Sequence, residues 1–324
     1  MNVDLILQSD AIKGVSLLPD KSINLVITSP PYFQQRKYMD GDAEWGQEDT
    51  IEDYLARLIS LFKECVRVTK DDGSIIWNLG DKYINGSLSL IPFRFAVMAC
   101  DQAEVKLVNE VTWIKVNPTP RQFDRRMVSS TEPFFHFTRT SKYKYDMDSI
   151  RERVDTTEAN PNTQIGQKYF KVIDESELSE AEKQHAKVEL VRAINEVKAG
   201  ELPGFRMKIR GIHALAFGGQ EGGRNDQILN NGFTVIRLRG KQVVRDVFES
   251  PVETIRGMKH PAIYPQGLIE KFLKITTDEN DIVLDPFMGS GTTALACKSL
   301  NRRYIGFELC DEFVKLANER LSDE

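Results

Sequence analysis

The chain has 324 residues, with 43 Lys and Arg against 48 Asp and Glu, for a net charge of −5. Hydrophobic residues at 41% and charged residues at 28% describe a globular chain and exclude a disordered or fibrous one. The acidic balance lacks the overall basic footprint usual in nucleic-acid binders, so any such contact must come from a local concentration of cations.

The opening MNVDLILQSD has no basic segment followed by a long apolar one, so no secretory signal is read. The longest apolar stretch, 88–100, is interrupted by Ser89, Pro92 and Arg94 and is too short to span a bilayer, so no membrane partner is expected. Cys65, Cys100, Cys297 and Cys310 show no C-x-x-C spacing. They read as reduced thiols in a cytoplasmic protein, and no metal site is expected.

In chain order, Ile23 to Thr28 is a short apolar run stopped by Pro30 and Pro31, which suits a buried strand. Ile51, Leu55, Leu58, Ile59, Phe62 and Val66 recur at helical spacing, with Thr50 and Asp53 placed to cap the helix. Asp71-Asp72-Gly73 is expected to end that unit before a strand over 74–79. A helix over 91–100 and a strand over 105–115 follow. From about Asn117 the prolines Pro118, Pro120 and Pro133 break the pattern. A helix is expected over 176–198, capped by Ser179 and Glu182 and ended by Gly200, with a flexible loop over 218–223. Alternating α/β character returns after Pro251, with helices over 267–276, 292–300 and 311–321 and strands over 282–284 and 304–307. Two α/β blocks therefore flank a middle segment of different composition.

Two motifs carry chemistry. Asp285-Pro286-Phe287-Met288-Gly289-Ser290-Gly291-Thr292-Thr293 follows a strand and opens a helix. Its glycines permit a tight turn and close approach of a ligand to the backbone. Glu308, 17 residues beyond Gly291, ends the next strand, where an acid can hold ribose hydroxyls. Thr28-Ser29-Pro30-Pro31-Tyr32 ends the first strand. Its rigid carbonyls, hydroxyl and aromatic ring could hold a planar group bearing an NH2. Each motif alone is also compatible with a plain structural turn.

Together the motifs resemble the amino-group DNA methyltransferases that use S-adenosylmethionine, in the beta-group order with the catalytic motif first. Asp10 with Leu18-Pro19-Asp20-Lys21-Ser22-Ile23, His260-Pro261-Ala262, and Arg303 to Glu308 are similar to further family segments. The resemblance covers roughly residues 3–145 and 240–322. It implies a Rossmann-like α/β methyltransferase fold with a mostly parallel, circularly permuted sheet and an inserted target-recognition region. The corresponding division is a catalytic half over 1–145, the insert over 146–250 and a cofactor-binding half over 251–324. By the same resemblance Ser29, Pro30, Pro31 and Tyr32 are catalytic. Asp10, Thr28, His260, Asp285, Pro286, Phe287, Gly289, Gly291, Thr292 and Glu308 would bind S-adenosylmethionine. Ser29 and the Pro30 carbonyl would accept hydrogen bonds from the amine, and Tyr32 would stack on a flipped-out base.

No cysteine follows a proline, so the thiolate needed for carbon-5 methylation of cytosine is not in place. Serine at the first catalytic position resembles the cytosine-N4 enzymes, while aspartate there is commoner among adenine-N6 enzymes. Cytosine-N4 is the expected target and adenine-N6 the alternative. A nicotinamide dehydrogenase would also use G-x-G-x-x-A, but only 16 residues follow Glu308 and Ser29 to Tyr32 would go unexplained. An RNA or protein-amide methyltransferase and a non-catalytic DNA-binding relative complete the alternatives.

Residues 111–145 hold seven basic and two acidic side chains, and 202–245 hold eight and two. Arg121, Arg125, Arg126, Arg206, Lys208, Arg210, Arg237 and Arg239 are the expected contacts to double-stranded DNA. The net charge thus conceals a strongly asymmetric molecule. A cognate restriction endonuclease and a homodimer are further expected partners.

Overall fold

The computed structural model describes residues 1–36, 44–118, 123–151, 166–215, 223–238, 244–252 and 265–323. They divide into two compact units, 1–150 with 244–324, and 151–243. In chain order the first unit opens with β1 (Leu5–Gln8), α1 (Ala11–Ser16), β2 (Ile23–Thr28), α2 (Ile51–Val68) and β3 (Thr69–Asn78). A small hairpin, β4 (Tyr83–Ile84) and β5 (Ser87–Leu88), precedes α3 (Ile91–Gln102), β6 (Lys106–Lys115) and β7 (Thr131–Thr138). The second unit contains α4 (Gln167–Asp174), α5 (Glu180–Lys198), β8 (Gly204–Ile209), α6 (Arg224–Asn231) and β9 (Phe233–Leu238). The first then resumes with β10 (Val247–Ser250), α7 (Gln266–Thr276), β11 (Ile282–Asp285), α8 (Thr292–Ser299), β12 (Arg303–Glu308) and α9 (Asp311–Asp323).

One eight-stranded sheet in the order β1-β12-β11-β2-β3-β7-β6-β10 organises the first unit. All its pairings are parallel except those of β7, which runs antiparallel to β3 and β6. Both faces are covered, which is why β2 reads as a continuous apolar run rather than an alternating one. Val26, Ile75, Trp77 and Phe137 face the core shared with α1, α2 and α3. Leu25, Ile27, Ile76 and Phe134 face the other core, shared with α7 and α8. α2 has one apolar stripe, and Thr50 caps it by accepting the Asp53 amide at 3.1 Å.

Strand order reverses between β2 and β11. From β11 the chain winds outward through α8 to β12, and from β2 it winds the opposite way through α2 to β3. The crevice beyond the carboxyl ends of such a pair is where open α/β sheets bind ligands. Both motifs lie there, on Thr28 to Tyr32 after β2 and Asp285 to Thr293 after β11.

Two expectations about elements change. β3 begins at Thr69, so Asp71 to Gly73 lie inside it instead of ending the preceding unit. They bulge where the register against β2 jumps from Ile23↔Thr69 to Leu25↔Ser74. A Cβ at Gly73 would lie 2.7 Å from the Asn24 carbonyl oxygen, so the bulge needs glycine. The second change is β7, which holds Pro133, treated above as a breaker. Pro133 pairs with Thr112 of β6, but β3 pairs only with Phe134 to Thr138, so Pro133 sits past the end of its other neighbour.

The second unit is a two-stranded antiparallel β8–β9 sheet packed on α4 and α5 through Ile173, Leu190, Met207 and Ile209. α5 begins with the expected capping box: Ser179 accepts from the Glu182 amide, and the Glu182 carboxylate accepts from the Ser179 amide. β10 pairs with β6 and so belongs to the main sheet, leaving 151–243 as the second compact unit.

His136 on β7 is 3% exposed, with Nε2 2.9 Å from the Ser74 hydroxyl and its ring stacked on Tyr145. Burial lowers its pKa from the ordinary 6.5 to about 4. Below pH 6.5 the unfolded chain gains a proton there that the folded chain refuses, so this histidine destabilises the fold as pH falls toward 4. Between pH 7 and pH 5 the native chain should lose about 2 kcal/mol more stability than a His136→Gln variant, read by urea denaturation.

Candidate active site

The two motifs are joined by a buried carboxylate. Asp285, 1% exposed, accepts hydrogen bonds from the Thr28 hydroxyl at 2.7 Å, the Thr293 hydroxyl at 2.6 Å and the Phe287 amide at 3.0 Å. Thr28 and Asp285 lie 257 positions apart in sequence. Their side chains are engaged with one another, so they brace the crevice from beneath.

Above Thr28 lies a network that orders hydroxyl protons. The Asn78 amide nitrogen donates to the Pro133 carbonyl at 3.0 Å, which turns its Oδ1 toward Ser29 at 3.0 Å and Tyr32 at 2.6 Å. The Ser29 hydroxyl can therefore donate to Asn78, leaving its lone pairs to accept from a ligand. Asn78 is neutral, so it orients that proton without competing for it as a base would. The Tyr32 hydroxyl also lies 3.0 Å from Glu132 Oε2. Burial, and then the Glu132 charge, hold the Tyr32 pKa well above that of an ordinary phenol, so Tyr32 stays neutral. The Pro31 carbonyl is occupied by the Tyr54 hydroxyl at 2.8 Å, which fixes the backbone of the turn.

The Tyr32 ring lies against Gly80. A Cβ there would fall 2.3 and 2.4 Å from two ring carbons. Gly80→Ala should displace the ring, cost about 1–3 kcal/mol of stability by overpacking and sharply lower turnover. Thermal unfolding and single-turnover rates check both effects.

On the other wall, Glu308 at the end of β12 accepts from the Gly289 and Cys310 amides, each at 2.9 Å. Burial raises its pKa, and those backbone donors oppose the rise. Gly289 and Gly291 have φ of +55° and +86°, and a Cβ on Gly291 would lie 2.9 Å from that of Ala317. Glycine is thus required for the turn that precedes α8. Pro286 and Thr292 are buried. Phe287 is half-buried and meets the edge of Trp45 at 5.1 Å. Asp10 caps α1 by accepting the Lys13 amide at 3.2 Å, and it accepts the Trp45 indole N–H at 2.9 Å. Arg57 lies 3.7 Å from the same carboxylate and 4.0 Å over the Trp45 ring.

A carboxylate, a glycine turn and an aromatic wall lie at the ends of β11 and β12, and a cluster of hydroxyls and an amide lies at the ends of β2 and β3. The first group suits a nucleoside and the second a planar amine. The family model described as N6_N4_Mtase, DNA methylase, matches residues 23–319, a span that includes both motifs. The chain belongs to this DNA methylase family. It is 30% identical to the type II methyltransferase M.BglII of Bacillus subtilis, over 100% of this chain and 70% of that protein. It is 28% identical to M.SfiI of Streptomyces fimbriatus, over 94% and 88%. In fold it is similar to the cytosine-N4-specific PvuII DNA methyltransferase, with a TM-score of 0.60 at 18% identity, covering 98% of this chain and 89% of that one. It is also similar to M1.HpyAVI in its SAM complex, with a TM-score of 0.52 at 19% identity over 98% of each chain.

In this methylase the structure brings Ser29, Pro30, Pro31, Tyr32, Thr28, Asp285, Pro286, Phe287, Gly289, Gly291, Thr292 and Glu308 to the carboxyl ends of β2, β11 and β12. His260, Arg121 and Arg239 fall outside the described residues. Sequence reasoning missed Asn78, Gly80, Glu132, Lys115, Trp45 and Arg57. The only available signal was position: Asn78 ends a predicted strand, as Ser29 follows one.

The predicted DNA-contacting residues divide. The Arg126 guanidinium is held 3.9 Å over Tyr83 and 3.5 Å over Phe123, and Arg125 is exposed. In the second unit Arg206 is exposed and Lys208 half-buried, on the face of β8 opposite Met207 and Ile209. Arg210 is paired instead with Glu182 at 2.8 Å, and Arg237 with Glu196 at 2.6 Å and Glu189 at 3.3 Å. Those two guanidiniums tie the β8–β9 sheet to α5. A count of charges along the sequence could not separate them from Arg206 and Lys208.

Among the described residues no helix is long and apolar enough to cross a membrane, and no group of three or more His, Cys, Asp or Glu could hold a metal ion.

Proposed function

We propose that this DNA methylase transfers a methyl group from S-adenosylmethionine to the N4 amine of a cytosine flipped out of duplex DNA. The observation that carries the reading is the Ser29–Asn78 hydrogen bond at 3.0 Å. It directs the Ser29 proton away from the pocket, so the hydroxyl meets an amine as an acceptor.

The residues present fit the cofactor. Glu308 offers a carboxylate suited to ribose hydroxyls, and Gly289 and Gly291 form a turn that admits close approach. Phe287, backed by Trp45, supplies an apolar wall. Bound there, S-adenosylmethionine supplies an electrophilic methyl group on sulfur.

The target amine is a poor nucleophile because its lone pair is delocalised into the ring. Ser29 accepts one amine hydrogen and the Pro30 carbonyl the other, which localises that lone pair on nitrogen. Tyr32 presents its ring for stacking. The protein's part is positioning and electrostatics, and no covalent intermediate is needed. Serine at position 29 supports cytosine over adenine by its resemblance to the cytosine-N4 enzymes.

Arg125, Arg126, Arg206 and Lys208 are assigned to DNA contact, and the compact unit 151–243, narrower than the expected insert because β10 belongs to the main sheet, to target recognition. Exchanging that segment with the equivalent one of a similar enzyme should change the modified sequence; unchanged specificity would overturn the assignment.

The direct test is incubation with labelled S-adenosylmethionine and mixed-sequence DNA, followed by nucleoside analysis. Label in N4-methylcytosine is the expected result. Label in N6-methyladenine replaces cytosine by adenine as the target, and no label in DNA refutes both.

A further inference from the structure

The connection between β6 and β7 closes at its neck on a shielded ion pair. The Lys115 amide donates to the Ser130 carbonyl at 2.8 Å, and Trp113 pairs with Glu132 across the ladder. The Lys115 ammonium contacts Glu132 Oε1, with the two side chains only 21% and 13% exposed. Glu132 Oε2 reaches the Tyr32 hydroxyl at 3.0 Å. Shielding two charges in this way is rarely the cheapest route to stability, because desolvation offsets much of their attraction. An apolar pair would close the neck equally well. It would not give the Tyr32 hydroxyl a charged acceptor.

The same connection also reaches the small hairpin that follows Gly80. Arg126 stacks on Tyr83, which lies three positions after Gly80, and Gly80 is the residue against which the Tyr32 ring packs. The ring is therefore fixed at its edge by Gly80 and at its hydroxyl by Asn78 and Glu132. Among these groups only Glu132 is tied in turn to a cation.

We propose that Lys115 and Glu132 are positioning residues of the target-base pocket. Lys115 holds the Glu132 carboxylate in place, and the carboxylate holds the Tyr32 hydroxyl, so the ring is set at the angle a flipped base must meet. This role rests on the methyltransferase reading above, and it assigns neither residue to the reacting atoms.

The test is a double-mutant cycle with an independent spectroscopic readout. Glu132→Gln keeps the side-chain shape and removes the charge. It should lower the single-turnover rate of methyl transfer about tenfold, the size expected for a charge-assisted hydrogen bond. The affinity for S-adenosylmethionine should stay within about twofold, since among the described residues Glu132 is held by Lys115 and Tyr32 and not by the Glu308 wall. In a Tyr32→Phe background the same substitution should change the rate by less than about twofold, because the hydroxyl through which it acts is gone. Lys115→Met should follow the same pattern. An equal loss with and without the Tyr32 hydroxyl, or no loss at all, would overturn the proposal.

The second readout is the Tyr32 ring carbon bonded to oxygen, labelled with 13C and titrated by NMR in the full chain. Glu132→Gln should lower the apparent pKa of Tyr32, because a neighbouring negative charge is removed. An unmoved titration would overturn the link even in an active enzyme. If instead the native chain transfers no methyl to DNA while the titration shifts as expected, the functional reading fails and the Glu132–Tyr32 contact stands.

Discussion

Ser29→Ala is expected to lower methyl transfer about 10²–10³-fold, the usual cost of deleting one preorganised partner of a transition state. S-adenosylmethionine should bind the variant as it binds the native chain, because the Ser29 hydroxyl contacts Asn78 and Tyr32 and not the Glu308 wall. Single-turnover rates and calorimetric cofactor titration separate the two. Stability should change little, since the hydroxyl is half-buried and its partner Asn78 keeps Tyr32 and Pro133. The informative companion is Asn78→Asp. An aspartate would still accept the Ser29 proton but would lose the donor that meets Pro133. It would also place a charge beside Glu132. If Ser29→Ala retained native turnover, hydrogen bonding by the serine would be dispensable and the proposed chemistry would be wrong.

The elements were legible where one physical signal dominated. α2 has a cap and an apolar stripe, β2 is an apolar run closed by prolines, and the capping box at Ser179 marks α5. The strand after α2 was misplaced because its first residues are charged. Asp71 and Asp72 bulge out of register, and a bulge leaves no periodicity to read. β7 was hidden by Pro133, whose tolerance depends on β3 having already ended, a fact of register that no local window contains. The motifs at Ser29 to Tyr32 and Asp285 to Thr293 were legible because each needs contiguous residues of restricted type. The partners of Tyr32 were not. Asn78 ends β3, Gly80 follows it and Glu132 lies on β7, and they reach Tyr32 only through the sheet order β2-β3-β7. The same limit applies to charge. Arg206 and Arg237 look alike in sequence, but one lies on the outer face of β8 and the other in an ion pair with α5.

The junction beneath the crevice should be the most sensitive point of the fold. Asp285→Ala removes the acceptor shared by Thr28, Thr293 and Phe287, all donors in a site from which water is excluded. An unmet buried donor costs about 1–3 kcal/mol, so the variant should lose several kcal/mol of folding stability. It should also bind S-adenosylmethionine at least about tenfold more weakly, because the Phe287 amide and Thr293 set the turn that carries Gly289 and Gly291. Thr28→Val tests one arm alone. It preserves shape while deleting one hydrogen bond, and should cost about 1–2 kcal/mol with a smaller change in cofactor affinity. Denaturant unfolding and calorimetric titration of both variants distinguish the outcomes. Native stability together with native cofactor affinity in Asp285→Ala would mean that the two motifs are held by their strands alone. A large loss in Asp285→Ala with a graded loss in Thr28→Val would place their alignment in this carboxylate. The parallel register Leu284↔Val26 brings the strands side by side but leaves open how the loops beyond them turn. The carboxylate supplies that missing constraint, since its two oxygens accept from the end of β2 on one side and from the first turn of α8 on the other.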